Sequence, residues 1–403
     1  MAAKKVSTDG GARGLLKIAL VAFLLTCVFD PADKLLGAKV LIFFLCWVCA
    51  VGVIATTKER VAIPFGLFVF TYLFTMIPLL SVLGYLWRGG GDPFYGFALL
   101  KGYMLITFAL LLVMTRVSLV RQLSLVLSFL AFVVIVVFLL LLIAPDLYVP
   151  IYIFGEATGI VQLDIGRDYG GDVVLMQVYF VTSPMLVISI AYYFDRMRST
   201  LDCKMKALFF GLMLLSIAGM ILAGSRNNIV IAALLPIALW VNHTRRKALG
   251  VVLGTFAVIA LIIVFKNQLS AFFDSDEISN SVKLVMLKEY SKLFEDPYIL
   301  LFGQGLGAFH YWEGRGSLPV TELTYHEMLR NFGIFGTTIM MILLLFPILH
   351  AFLLNRQFKE KAIVIAYVGY LIMSASNPLM FSSMGTLILS IILYMIYRPG
   401  IKA

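Results

Sequence analysis

Apolar runs broken by short polar or charged clusters repeat along the whole chain. Runs of about 17–23 residues recur, the length an α-helix needs to cross a hydrocarbon core. They fall near residues 15–29, 35–56, 61–85, 94–114, 122–144, 176–194, 207–223, 229–242, 248–266, 332–353, 362–378 and 386–397. Strand-type alternation over ten-residue windows is absent, which argues against an outer-membrane barrel. Two stretches, about 145–175 and 267–331, are too long and polar to be simple turns, and loops of that length in a bundle are usually functional. Within the second, 281–295 reads as an amphipathic helix, with Val282, Val285, Met286, Tyr290 and Leu293 at helical spacing. Residues near 319–331 read as another, with Pro319 in its first turn. The pattern predicts an all-α polytopic membrane protein, one transmembrane domain over 1–403. It would have about twelve membrane helices and two long loops containing short helices.

Composition sharpens this. Residues are 61% hydrophobic and 13% charged, whereas a soluble domain is about 45–50% apolar. So little charge cannot cover a water-exposed surface, so lipid must be the solvent for much of the chain. The net charge of +10 is not a nucleic-acid footprint. Its lysines and arginines sit in short clusters between apolar runs, as topology signals do. Arg196, Arg198, Lys204 and Lys206 form one cluster, and Arg245, Arg246 and Lys247 another. This alternation puts both termini in the cytoplasm and the two long, acid-rich loops on the extracytoplasmic side. No small-residue cleavage site follows Phe29, so the first run is a retained helix. The four cysteines imply no disulfide framework; Cys46 and Cys49 lie inside an apolar run as small helix residues.

Charges within the spans are few. Lys39 lies near a helix end and can snorkel; Lys101 sits deeper and is a candidate to face a cavity. No carboxylate lies deep in a span, which counts against a proton- or ion-coupled transporter. Chemistry gathers in the polar segments. Arg226, in Gly224-Ser225-Arg226, opens a helix, where a guanidinium and free backbone N–H groups suit an anion; a headgroup-contacting turn is the plainer alternative. Arg167 is the lone basic residue of an acidic loop, so it is either a salt-bridge partner or part of a substrate clamp. Residues 303–316 are glycine-rich with His310, Tyr311 and Trp312, a composition that suits a sugar platform as well as a membrane interface. In 321–336, a helix would place Glu322, His326 and Arg330 on one face, with Glu322 and His326 supplying a base and its partner. His310 and Tyr325 complete the candidate glycan contacts. No His/Cys cluster suggests a metal.

Four segments carry a resemblance: Gly224-Ser225-Arg226, 302–307, Glu322 through Gly336, and Ser376 through Gly385. In that order along one bundle, the chain resembles the O-antigen polymerase and ligase superfamily of bacterial envelope glycosyltransferases. The resemblance implies a GT-C-like membrane fold in the bacterial inner membrane with a periplasmic active site. It also implies a metal-independent, cofactor-free inverting transfer from undecaprenyl-diphosphate-linked oligosaccharides. Partners would be those donors, membrane lipid and a chain-length regulator protein, with no nucleic acid. The ligase branch carries a catalytic His with ten residues between it and a Gly. Counting back from Gly333 puts Glu322 there and His326 one turn later, a departure that favours a polymerase-like member. Arg226, Arg167 and Arg315 would hold the diphosphate. A ligase transferring finished glycan to lipid A-core or protein is the second expectation, and a lipid-glycan flippase the third.

The charge asymmetry makes a direct topological prediction. In a cysteine-free background, Ser279→Cys labels with an impermeant maleimide in intact cells, and Ser199→Cys labels only after permeabilisation. The opposite pattern overturns the orientation.

Overall fold

A helix with apolar residues on every face is stable only inside a core or against lipid. Both situations occur in the computed structural model of this chain, which describes residues 9–57, 62–89, 93–168, 174–244, 247–264, 278–312, 316–355 and 358–398. The first half comprises α1 (Asp9–Phe29), α2 (Lys39–Thr57), α3 (Phe65–Trp87), α4 (Pro93–Met104), α5 (Phe108–Thr115), α6 (Val120–Ile143) and α7 (Tyr148–Thr158). A hairpin of β1 (Val161–Asp168) and β2 (Val174–Phe180) follows, then α8 (Leu186–Ser199), α9 (Cys203–Leu222), α10 (Arg226–His243) and α11 (Lys247–Val264). The remainder is α12 (Ile278–Leu293), α13 (Pro297–Phe302), a small hairpin of β3 (His310–Trp312) and β4 (Gly316–Leu318), α14 (Thr324–Leu349), α15 (Lys361–Ser374) and α16 (Ser383–Tyr397).

Among the described residues, seven helical stretches are long and apolar enough to cross a membrane, and three shorter apolar helices accompany them. α4 and α5, joined through a 3-10 turn at Leu105–Thr107, make one such stretch. The chain is a helical membrane protein. Its centre is α16, buried from Ser383 to Ile396 and packed on α1, α4, α5, α14 and α15. The periphery is equally apolar: Ile18, Leu41, Phe65, Phe129 and Leu253 are all exposed. In water such a surface would aggregate; in lipid it costs nothing. Several polar groups in the core are satisfied locally. Ser124 donates to the Val120 carbonyl at 2.8 Å, and the Ser128 and Tyr193 hydroxyls meet at 2.7 Å.

The structure departs from the sequence pattern in several places. The apolar run at 176–194 is not one helix. Residues 174–180 are strand β2, paired antiparallel to β1 from Val161↔Phe180 onward, and α8 begins only at Leu186. The run is rich in Val and aromatics, which fit a strand as readily as a helix. The 145–175 stretch is therefore α7 plus most of a hairpin. Lys39 does not snorkel. It is buried, its ammonium donating to the Pro31 carbonyl at 2.6 Å and lying 3.3 Å from the Ser383 hydroxyl. Just before it, Asp30 accepts from the backbone N–H of Lys34, Leu35 and Leu36. Burial works to raise the Asp30 carboxyl, yet those three donors hold it below its ordinary range. Lys101 is exposed on α4 rather than facing a cavity. The expected helix at 281–295 is present as α12, with Met286 and Tyr290 buried against Trp312 and Leu323 in a second, smaller core.

The helix expected near 319–331 and the span expected from 332 are the two halves of α14, meeting at Gly333. That residue has φ 62° and ψ −176°, a region open essentially to glycine alone. A β-carbon there would also collide with the Leu301 carbonyl oxygen. Gly333→Ala should therefore destabilise by on the order of 3 kcal/mol, combining backbone strain with overpacking. Thermal unfolding of the purified protein checks this, and an unchanged melting temperature would show that the kink is not constrained.

Candidate active site

The first half of α14 is amphipathic, and its polar face turns inward. Arg330 is fully buried and Glu327 nearly so, the two forming an i, i+3 ion pair. An isolated charge in such a place would be strongly disfavoured. Here every valence is met. The Glu327 carboxylate accepts from Tyr290 at 2.7 Å, Thr321 at 3.2 Å, Asn331 at 3.0 Å and twice from Arg330. Arg330 spends its remaining N–H groups on the Gln304 side chain at 3.0 Å and on the carbonyls of Ala308 and Pro319, each at 2.8 Å. The Gln304 N–H returns a bond to the Arg330 carbonyl at 2.5 Å. Burial, and then the charge of Glu327, push the Tyr290 phenol above its ordinary range, so it stays a donor to that carboxylate.

The 303–307 segment is thereby explained. Gly303 has φ 82° and lies against the backbone of Asn331 and Gly333, too close for a side chain. Gly303 seats the loop on the α14 kink, Gly305 packs on Ser81 and Tyr85 of α3, and Gly307 packs on Gly96 of α4, so these glycines have a packing role. Trp312 is likewise buried against Tyr290, with ring centroids 4.7 Å apart, leaving Tyr311 as the exposed aromatic of that strand.

Glu322 is not on α14. The helix begins at Thr324, and Glu322 occupies a bend before it, so the expected Glu322–His326–Arg330 helical face does not form. Pro319 follows β4 and supplies a carbonyl to Arg330 rather than opening a helix. The bend is held on both sides. Thr321 is fixed by Tyr290, with hydroxyls 2.5 Å apart, and by Glu327. Thr324 donates to the Asn377 carbonyl at 2.7 Å. Glu322 is half-buried near Tyr179 of β2, whose phenol is pushed up first by burial and then by the charge of Glu322.

The Ser376-Asn377 turn links this bend to the start of α10. Asn227 donates to the Ser376 hydroxyl at 2.5 Å, Asn228 donates to Ser183 at 3.0 Å, and Arg226 reaches Asn280 of α12 at 3.5 Å. Arg226 occupies the first helical position after Ser225, with Gly224 at φ 69°. The N-terminal turn of α10, the Ser376-Asn377 turn, the start of α12 and the Glu322 bend thus form one polar cluster at an end of the bundle.

The other candidates divide. His326 is half-buried, its ring 5.4 Å from that of Tyr290. The Tyr325 hydroxyl donates to the Leu371 carbonyl at 2.8 Å. His310 packs on Trp312 at 4.7 Å; burial and the charge of Arg330 lower its imidazole below the ordinary range, so it is neutral at pH 7. Arg167 lies in β1 opposite Leu175, beside a register irregularity, and its side chain is outside the described residues. Arg315 is outside them too. Sequence reasoning missed the Glu327–Arg330 pair, Gln304, Thr321 and the Asn227–Ser376 bond. The available signal was two opposite charges three residues apart, Glu327 and Arg330, just ahead of Gly333. The chain matches no family model, no curated protein and no solved structure.

Breaking the pair should cost more than removing it. Arg330→Met is expected to lose about 3–5 kcal/mol by stranding Glu327, and adding Glu327→Leu should recover part of that loss. Melting temperatures of the single and double variants decide it; additive losses would mean the charges do not depend on each other.

Proposed function

We propose that the chain is a polymerase-like glycosyltransferase of the O-antigen type. It would extend a surface polysaccharide by moving a growing glycan from undecaprenyl diphosphate to the next lipid-linked repeat unit. The observation that carries the reading is the bend at Glu322. A carboxylate is pinned between two anchored threonines and joined, through the Ser376-Asn377 turn, to the helix start that bears Arg226. A base and a cation on one polar cluster of a lipid-embedded bundle are what this transfer requires. In the proposed topology the chain crosses the membrane about twelve times, with both termini cytoplasmic and this cluster on the periplasmic side.

The chemistry balances without further groups. The Glu322 carboxylate takes the proton of the acceptor hydroxyl as that oxygen attacks the anomeric carbon from the face opposite the diphosphate. The glycosidic bond to the diphosphate breaks, inverting the carbon. The electron pair leaves with the diphosphate, whose charge Arg226 and the backbone N–H groups of the first turn of α10 stabilise. His326, beside Tyr290 in the first turn of α14, is the alternative base.

Two measurements test the assignment. With purified protein and one lipid-linked oligosaccharide, the expected product is a ladder; a single transfer to a different acceptor would indicate a ligase, and no product would overturn both. Glu322→Gln should lower turnover by roughly 10²–10⁴ with folding intact, and Arg226→Ala by about 10²–10³. His326→Ala should be milder. An active Glu322→Gln variant beside a dead His326→Ala variant would move the base to His326.

A further inference from the structure

A cavity of about 240 Å³ opens between the last turns of α3, α13 and the 303–307 loop, lined by Leu80, Ser81, Arg88, Tyr298, Phe302 and Gly305 among others. It lies outside the Glu322 cluster. Its polar character comes from Arg88. Nε donates to the Gly84 carbonyl at 2.9 Å, Nη1 to Gly303 at 3.1 Å and Nη2 to Gln304 at 3.0 Å. The guanidinium also lies over the Tyr298 ring, 5.2 Å from its centroid. Four contacts hold the fork in one place, yet every bond goes to a neutral carbonyl. Three of five N–H groups are used, and no carboxylate among the described residues pairs with it. The Ser81 hydroxyl does not compete, because it donates to the Asn331 carbonyl at 2.6 Å and accepts from Leu306 N–H at 2.8 Å.

The surroundings are those of a membrane interface. Trp87 is 92% exposed, and Phe302 and Phe335 are more than half exposed. Aromatic rings at a helix end sit at headgroup level. From the cavity an apolar lane runs along neighbouring helices: Leu80 and Leu83 on α3, Ile339 and Ile342 on α14, all exposed. A preorganised single cation at the head of an apolar lane selects a ligand with one negative charge and hydrocarbon chains. A diphosphate carries at least two negative charges, and the cavity offers one exposed guanidinium to neutralise them.

We propose that the Arg88 cavity binds the phosphodiester of an anionic glycerophospholipid, whose acyl chains lie along α3 and α14. The two remaining N–H groups of Arg88 donate to the phosphate oxygens, a charge-assisted contact. This assignment does not depend on the glycosyl-transfer reading. Its structural consequence is specific: Arg88 grips Gly303 and Gln304, and Gln304 holds Arg330, so a bound lipid steadies the loop that braces the α14 kink.

Native mass spectrometry of the full chain tests the site, comparing phosphatidylglycerol with phosphatidylcholine of the same acyl chains. Wild type should retain phosphatidylglycerol about tenfold better, and R88Q should reduce that preference to within about twofold. Because Arg88 also braces the loop, Leu80→Trp serves as the second variant. It fills the cavity without touching the Arg88 bonds and should abolish the preference at an unchanged melting temperature. Equal retention of the two lipids by wild type overturns the proposal, as does a preference that survives in a Leu80→Trp variant of normal stability. Displacement of phosphatidylglycerol by equimolar undecaprenyl phosphate would overturn the phospholipid assignment in favour of an isoprenoid one.

Discussion

A carboxylate and a guanidinium buried at the margin of an apolar bundle are tolerable only if every lone pair and N–H finds a partner, and at Glu327 and Arg330 each does. The partners come from separate pieces of chain: α12 through Tyr290, the glycine loop through Gln304 and Ala308, the end of the β3–β4 hairpin through Pro319, and the Glu322 bend through Thr321. These segments have little core of their own, because the second hydrophobic cluster is small. Desolvation offsets much of the Coulomb attraction of such a pair, so its value lies less in net stability than in specifying one arrangement. Any other seating of the loop would strand a charge.

The kink at Gly333 is the geometric counterpart. A straight helix from Thr324 would carry its polar first turns along the axis of the bundle. Non-helical backbone at Gly333 lets the first half turn aside, and the close approach of Gly303 to Asn331 locks it there. The pair and the kink are coupled, since Gln304 binds both the side chain and the carbonyl of Arg330. The Glu322 bend is thus set by forces acting several residues away.

Much of the fold is legible in the sequence because lipid leaves few options. A run such as 122–144 must be a helix, and it is, over Val120–Ile143. The amphipathic spacing of Val282, Met286 and Tyr290 is equally plain. Legibility fails where lipid no longer dictates. Residues 176–180 read as part of a span, but Val178 and Phe180 bury in a hairpin whose partner strand alternates apolar and polar residues only over Val161–Ile165, a signal too short to stand out beside the apolar runs. The site is harder still. Spacing alone offers Glu322 with His326 or Glu327 with Arg330, and only the helix start at Thr324 separates them. Trp312 is a plausible sugar platform by composition and a core residue by contact, because Tyr290 arrives from elsewhere in the chain.

Arginines make the same point most sharply. In sequence, Arg88 and Arg330 are both isolated cations beside apolar runs. In the structure they differ in how many N–H groups remain. Arg330 has used all five on Glu327, Gln304 and two carbonyls, so it has nothing to offer a ligand however electropositive its position. Arg88 has used three, all on neutral acceptors, which orient the fork without cancelling its charge. A buried guanidinium facing a carboxylate is a structural cross-link; an exposed one oriented by carbonyls keeps its charge available and is poised for an anion. That distinction depends on the partners' charge rather than on the arginine itself. It is therefore invisible until the fold has brought the partners in.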